Sequence, residues 1–125
     1  MNARTNEVLA EHVELADTRA TRRQGLLGRD RMEPSAALIL RPSFAIHTAF
    51  MRFPIDAVFV NRDGVVVRIV TDMGPWKMAA AWRAHSVIEL AAGALCSRDT
   101  RIGDRLYLAA ARSEPGTAVS WPLPA

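Results

Sequence analysis

The central segment IHTAFMRFPIDAVFV, residues 46–60, contains three ionisable side chains in the most apolar part of the chain: His47, Arg52 and Asp56. If the segment is extended, Asp56 shares a strand face with Val58, because side chains alternate between the two faces. A carboxylate on an apolar face must be hydrogen-bonded or paired, since burying a lone charge is costly. Asp56 is therefore either a structural residue that accepts backbone N–H groups or pairs with an arginine, or a ligand-binding or acid/base carboxylate in a cleft.

Two arginines near a predicted helix are natural partners for such carboxylates. The planar guanidinium groups of Arg22 and Arg29 suit two-point contact with a carboxylate. We expect them to meet Asp56 and Glu89, either as ion pairs that hold the helix to the sheet or as an anion-binding site.

Metal and nucleophile chemistry find little support. His47 and Met51 share a strand side but lie ~13 Å apart, too far to hold one metal ion. The other two histidines belong to no ligand motif, and the chain has no G-x-S-x-G motif or Gly-rich phosphate loop. We predict neither a metal nor a cofactor. Asp56 and Glu89 are the carboxylates from which an acid/base pair could be drawn, so enzymatic activity stays open.

Trp76 follows the Gly74-Pro75 turn and is expected on the surface. A loop tryptophan beside a charged cleft suits a sugar or peptide ligand. We predict that six side chains bind a ligand: Arg29, His47, Arg52, Asp56, Trp76 and Glu89.

The elements that position these side chains are mostly strands. Apolar residues alternate over residues 7–15, and Asp17 and Thr18 offer caps for a helix over residues 19–27. Asn-Arg-Asp-Gly at residues 61–64 is typical of a β-hairpin. We predict a mainly β fold, a small antiparallel sandwich or barrel-like domain with one or two short helices. The further expected elements are strands over residues 37–40, 46–50, 57–60, 65–70, 86–90 and 105–110, a long loop over residues 72–85 and a helical turn within residues 91–98.

Composition limits the classes of protein. A chain of 125 residues is expected to form one domain over residues 1–125, with a core over residues 7–110 and a Pro-rich tail over residues 111–125. The net charge is +3, but the arginines are scattered along the chain and alternate with acids, so we expect no nucleic-acid partner. Their densest cluster is Arg19, Arg22, Arg23, Arg29 and Arg31. A single cysteine permits no intrachain disulfide. No signal peptide or membrane span is evident, so we predict a cytoplasmic monomer or weak dimer without a membrane partner.

Four blocks occur in order: ADTRATRRQGLLGR, IHTAFMRFPIDAVFVNRDGVVVRIV, VIELAAG and GDRLYL. Over about residues 13–109 the sequence resembles the DUF192 family, uncharacterised small prokaryotic domains. The resemblance implies a compact, mainly β domain with short helices. The characteristic positions of the family fall here on Arg22, Gly25, Leu26, Arg29, Met51, Pro54, Asp56, Gly64, Glu89, Gly93, Gly103 and Asp104.

The chain departs from the family pattern in two respects. Many members have an aromatic-Met-Lys-Asn-Thr core, whereas this chain has Phe50-Met51-Arg52-Phe53-Pro54. A function that depends on the Asn-Thr pair is therefore not carried over. Many members also have a secretion or lipoprotein signal. We see no such pattern here and therefore do not expect an envelope location for this chain. The positions that we expect to be structural ion-pair or turn residues are Arg22, Asp56, Gly64, Gly103 and Asp104.

Three functions follow as hypotheses. The first is a binding module that holds a small polar or anionic ligand in a charged cleft. The second is a hydrolase or transferase that uses Asp56 or Glu89 as acid or base. The third is an accessory domain that binds a protein partner along an exposed strand edge, with purely structural charges.

Overall fold

The computed structural model describes residues 1–109 and 118–119 of the chain. It has one short helix, α1 (Arg19–Gln24). The strands, in chain order, are β1 (His12–Ala16), β2 (Ala36–Leu40), β3 (Ala45–His47), β4 (Ile55–Val60), β5 (Val66–Met73), β6 (Met78–Ala80), β7 (Ser86–Ala91), β8 (Leu108–Ala109) and β9 (Ala118–Val119).

Five strands form the main sheet in the order β1-β2-β7-β4-β5, and two small sheets pair β3 with β6 and β8 with β9. The mainly β fold class is confirmed. The main sheet is not purely antiparallel, because β1 pairs with β2 in parallel. Its remaining pairs are antiparallel, and the described strands do not close into a barrel.

β4 lies at the centre of the molecule, and all six of its residues are buried. Two apolar cores pack on the two faces of its sheet. Ala57 and Phe59 face a core that includes Leu26, which follows α1, and residues of β3 and β6; we call this the helix face. Val58 and Val60 face the other core, which we call the far face. A strand buried on both faces is typical of a central position in a sheet.

Helix α1 begins with a capping box. The Thr18 hydroxyl accepts a hydrogen bond from the Thr21 backbone N–H, and the Thr21 hydroxyl accepts one from the Thr18 backbone N–H. This confirms the cap predicted at Thr18. The helix ends at Gly25, whose φ of 48° favours glycine, and so stops short of the predicted end at Leu27.

The predicted hairpin is confirmed. β4 and β5 pair antiparallel around residues 61–64. The Asn61 side-chain oxygen accepts the backbone N–H groups of Asp63 and Val65, and Gly64 has a φ of 80°. Gly64 is therefore a turn residue, as expected, since a left-handed φ is strained for other residues.

Two predictions about the middle of the chain were wrong. The strand expected over residues 46–50 ends at His47, and Phe50 has a φ of 63°, which is incompatible with a strand. The predicted long loop over residues 72–85 contains the end of β5 and all of β6. The Met-Ala-Ala sequence of β6 gives no clear alternation, and the strand is defined by its pairing with β3.

The ends of the domain also differ in detail. The strand expected over residues 7–15 begins only at His12, and as an edge strand it leaves Val13 and Leu15 partly exposed. Within residues 91–98, where a helical turn was predicted, Ala91 belongs to β7 and residues 92–97 form turns. The predicted tail, residues 111–125, lies outside the described residues except for β9. Within the described residues, the helix is too short to cross a membrane.

Candidate functional site

A cleft of about 360 Å³ separates the α1 segment from β3. We call it the α1–β3 cleft. Its rim on the helix side carries three arginines, its opposite wall is β3, and its floor belongs to the helix face of the main sheet. Leu40, Met51 and Glu89 contribute to this floor. The cleft therefore combines apolar surface with charges of both signs.

Glu89 is the carboxyl group at the floor of the cleft. It lies opposite Leu38 and Ala57 in its two ladders, which places it on the helix face. Its side chain is buried, with the residue only 5% exposed. Burial raises the pKa of Glu89 to about 7, and the positive charge of Arg29 offsets only part of that effect. None of the described residues donates a hydrogen bond that would stabilise the charged form of Glu89. Glu89 is a buried carboxyl that faces an open cleft.

Three arginines at the rim lack carboxylate partners. Arg19 and Arg23 are exposed, while Arg22 is half-buried and donates to the backbone oxygens of Asp17 and Arg41 at 2.9 and 3.3 Å. None of the three forms a salt bridge with any residue in the described part of the chain. The ion pair expected for Arg22 is thus replaced by carbonyl contacts, and the rim is strongly positive.

Asp56 is completely buried, and its environment differs from that of Glu89. Its carboxylate accepts three backbone N–H groups: Asp72 at 2.8 Å, Gly93 at 3.1 Å and Leu95 at 3.2 Å. These contacts support the backbone-acceptor interpretation, because amide donors compensate a buried carboxylate. The alternative pairing with an arginine was wrong, since no arginine of the described chain pairs with Asp56.

The two carboxylates do not converge. In the β4–β7 ladder Asp56 lies opposite Leu90, whereas Glu89 lies opposite Ala57. Neighbouring residues of a strand point to opposite faces, so Asp56 is on the far face and Glu89 is on the helix face. The acid/base pair drawn from these two residues was wrong.

Of the other predicted ligand residues, only His47 lines the cleft with Glu89. Arg29 acts on Glu89 through its charge but forms its salt bridge with Glu14, at 2.8 Å. Arg52 pairs with Asp30. Both ion pairs are exposed, and such pairs contribute little to stability.

Trp76 is exposed, as expected, but it does not line the cleft. It packs edge-to-face on Phe50, with ring centroids 4.6 Å apart. Both residues have left-handed backbones, with φ of 64° and 63°. Buried Thr48 fixes this arrangement, since its carbonyl accepts the N–H of Trp76 and that of Met51. Strained aromatic residues held on the surface are an unusual feature of the fold.

Asp104 lies in a buried hydrogen-bond network near the end of the domain. It is buried and accepts hydrogen bonds from the Asn2 side chain, the Arg4 guanidinium and the Arg101 backbone N–H. These donors, Arg4 first, hold the pKa of Asp104 well below its ordinary value. Together with Gly103, whose φ is 96°, Asp104 ties the N-terminal segment to the end of the domain.

Sequence reasoning missed part of the site. Arg19 and Arg23 were recognisable only as members of the densest arginine cluster, and Thr48 carried no signal at all. The described residues include no group of three or more His, Cys, Asp or Glu side chains placed to hold a metal ion.

The fold is similar to those of solved structures of two bacterial proteins. A protein from Sinorhizobium meliloti 1021, described as a candidate transcription regulator, aligns with a TM-score of 0.68 and 26% identity, over 74% of this chain and 78% of that one. A protein of unknown function from Novosphingobium aromaticivorans DSM 12444 aligns with a TM-score of 0.66 and 25% identity, over 74% of this chain and 71% of that one. None of the curated proteins matches this chain.

The family comparison covers most of the domain. The model of the DUF192 family, described as Uncharacterized ACR, matches residues 1–108. This range contains the α1–β3 cleft, Asp56 and the hairpin. The chain therefore belongs to the DUF192 family.

Proposed function

We propose that the protein is a binding module for a small polar ligand with an anionic group, held in the α1–β3 cleft. One observation carries this proposal: a nearly buried Glu89 carboxyl without a donor faces the same cleft as three arginines without carboxylate partners. A carboxyl surrounded mostly by apolar side chains is costly to bury, and one that still reaches an open cleft is placed to contact a ligand.

The charges suggest a ligand recognised at two points. The rim guanidinium groups suit a carboxylate or phosphate, through charge-assisted hydrogen bonds. The Glu89 carboxyl at the floor suits an amine, amide or hydroxyl donor. Hydrogen bonds to charged groups contribute about 1.5–3 kcal/mol, so a ligand donor that reaches the Glu89 carboxyl gains both affinity and specificity.

A second candidate is acid/base catalysis by Glu89 alone. Burial raises the pKa of Glu89 to about 7, and a general acid or base works best when its pKa is near the working pH. His47, on the wall of the same cleft, is the other titratable group within this site. Asp56 has no part in this candidate, because its carboxylate is buried on the far face among backbone amides.

Calorimetric titration with L-glutamate and with glutarate tests the binding proposal. Glutarate has both carboxylates of glutamate but lacks the amine. We expect L-glutamate to bind more tightly than glutarate, and Glu89→Gln to remove the difference. An Arg19→Gln/Arg23→Gln variant should weaken both ligands about tenfold or more, since charged hydrogen bonds contribute about 1.5–3 kcal/mol each.

The control variant Arg62→Gln/Arg105→Gln removes the same charge from exposed positions outside the cleft. It should leave both affinities within about twofold, because exposed distant charges are screened by salt. Equal weakening by both double variants, or no heat from either ligand at millimolar concentration, would contradict the proposal.

A further inference from the structure

β3 presents one free backbone edge to the cleft. On its other edge the Thr48 N–H donates to the Lys77 oxygen at 2.9 Å, and the Ala81 N–H donates to the Phe44 oxygen at 2.8 Å. Backbone groups alternate between the two edges of a strand in an antiparallel ladder. The N–H and C=O groups of Ala45 and His47 therefore point away from β6, and both residues line the α1–β3 cleft.

Little of this edge is used within the described chain. The Ser43 hydroxyl donates to the Ala45 oxygen at 3.0 Å. In its sheet β3 pairs only with β6, among the strands that the structure describes. The Ala45 N–H and both backbone groups of His47 are left facing the cleft. Alternate residues of a strand are about 6.6 Å apart. An added extended chain would present its backbone N–H and C=O groups along one edge at the same spacing.

The charge around this edge selects an acidic partner. Arg19 and Arg23 are four residues apart on α1, so they lie on one side of the helix, and Arg22 is adjacent. Against these three positive charges the cleft has one acidic residue, Glu89. An acidic chain between α1 and β3 would meet opposite charge along the rim.

This step rests on the proposed function and deepens it: we propose that the polar, anionic group held in the cleft is carried by an extended acidic peptide segment of another protein. The segment adds to the free edge of β3 as a third strand. Backbone hydrogen bonds to Ala45 and His47 provide the register. Alternate side chains face the floor, where a hydroxyl or amide donor reaches Glu89, and the remaining acidic side chains meet the rim arginines.

A second copy of this chain fits the edge less well. The segment from Arg41 to Arg52, which includes β3, has no acidic residue. Pairing two β3 edges would therefore bring the rim arginines of one copy against a segment that has only positive charges, at Arg41 and Arg52. Repulsion between these like charges disfavours such a dimer.

Nuclear magnetic resonance with four peptides tests this inference. The probe is Ac-Glu-Thr-Glu-Thr-Glu-NH₂, with the lysine analogue as the charge control. The other two peptides are the methylated sets. In one set the backbone N–H groups of the threonines are methylated, and in the other set those of the glutamates are methylated. We expect the probe to shift the amide signals of Ala45 and His47 downfield, and the lysine peptide to have no effect. One methylated set should bind about tenfold more weakly than the probe, while the other retains the affinity of the probe.

Two proline variants examine the edge directly. His47→Pro removes a backbone N–H on the free edge of β3. Met78, the residue opposite His47 on β6, has its N–H on the other outer edge of the small sheet, and Met78→Pro removes that group. Proline is tolerated at edge positions whose N–H is not used in the ladder. His47→Pro should weaken the probe about tenfold, whereas Met78→Pro should leave it within about twofold; thermal denaturation verifies that both variants fold.

Equal affinity of the two methylated sets, or binding of the probe without shifts at Ala45 and His47, would overturn the peptide inference. If L-glutamate still binds in an arginine-dependent way, the proposed function stands although the peptide inference fails. Absence of binding by both L-glutamate and the probe overturns both. A dimer in sedimentation that His47→Pro dissociates would show that a second copy occupies the edge, which also overturns the inference.

Discussion

Asp56 and Glu89 point to opposite faces of the main sheet, although they lie on neighbouring strands only one register position apart. On the far face, three backbone N–H groups surround the Asp56 carboxylate. On the helix face, Glu89 has neither an amide nor a cation from the described part of the chain in direct contact, and it faces the α1–β3 cleft. One carboxylate is thereby committed to the fold, and we propose that the other is available to a ligand.

Asp56→Asn should destabilise the fold. An amide replaces one acceptor oxygen by an NH₂ group, so at least one backbone N–H among Asp72, Gly93 and Leu95 meets a donor instead of an acceptor. We expect a loss of about 2–3 kcal/mol in the free energy of unfolding, measured by urea denaturation. Asp63→Asn, in the exposed hairpin turn, is the matched control and should cost less than about 0.5 kcal/mol. Equal stability of the two variants would contradict a structural role for Asp56.

Glu89 should make the protein less stable as the pH rises. Its pKa is raised from 4.5 to about 7 in the folded state, so between these values the folded protein binds more protons than the unfolded chain. The free energy of unfolding therefore falls across this interval, and the loss is complete above pH 7. Glu89→Gln should remove the loss, making the variant more stable by about 3 kcal/mol at pH 8 but not at pH 4. Parallel stability curves for the two proteins would contradict this assignment.

Asp104 should have the opposite pH dependence. Its pKa is lowered from 3.8 in the folded state, so its contribution is fully present above that value and is lost as the pH falls through the folded pKa. Asp104→Asn should cost about 2 kcal/mol at pH 7, because it weakens charged hydrogen bonds from Arg4 and Asn2. The cost should diminish in acid. A constant cost from pH 7 down to pH 2 would show that the charge of Asp104 is irrelevant.

Thr48→Val should loosen the exposed aromatic pair. The Thr48 hydroxyl donates to the Gly74 oxygen at 2.6 Å and accepts the Lys77 N–H at 2.8 Å. Valine has a similar shape but leaves both groups unpaired, so we expect a loss of about 2 kcal/mol. The ring-current shifts between Phe50 and Trp76 should diminish in the same variant. Retention of these shifts with unchanged stability would mean that the loop holds its shape without Thr48.

Local signals allowed part of the fold to be predicted. The Thr18 cap and the turn at Asn61 to Gly64 depend on side chains that hydrogen-bond within a few residues. Alternation likewise placed Asp56 on the same face as Val58. These features need no information from distant parts of the chain.

The features that could not be predicted from the sequence depend on contacts between strands and segments that are distant in the chain. The face of Glu89 relative to Asp56 depends on the β4–β7 register, which neither strand specifies alone. β6 exists because it pairs with β3, about 30 residues earlier in the chain. The cleft depends on the placement of α1 beside β3, and so Arg19 and Arg23 became part of the site only through tertiary packing.

The most direct test of the central claim is carbon NMR of the Glu89 side-chain carboxyl during a pH titration, with and without L-glutamate. In the free protein we expect a pKa near 7. Bound L-glutamate should lower it, because an ammonium donor favours the charged carboxylate, and the Arg19→Gln/Arg23→Gln variant should not show this decrease. A Glu89 carboxyl that titrates near its ordinary value and does not respond to the ligand would contradict the account.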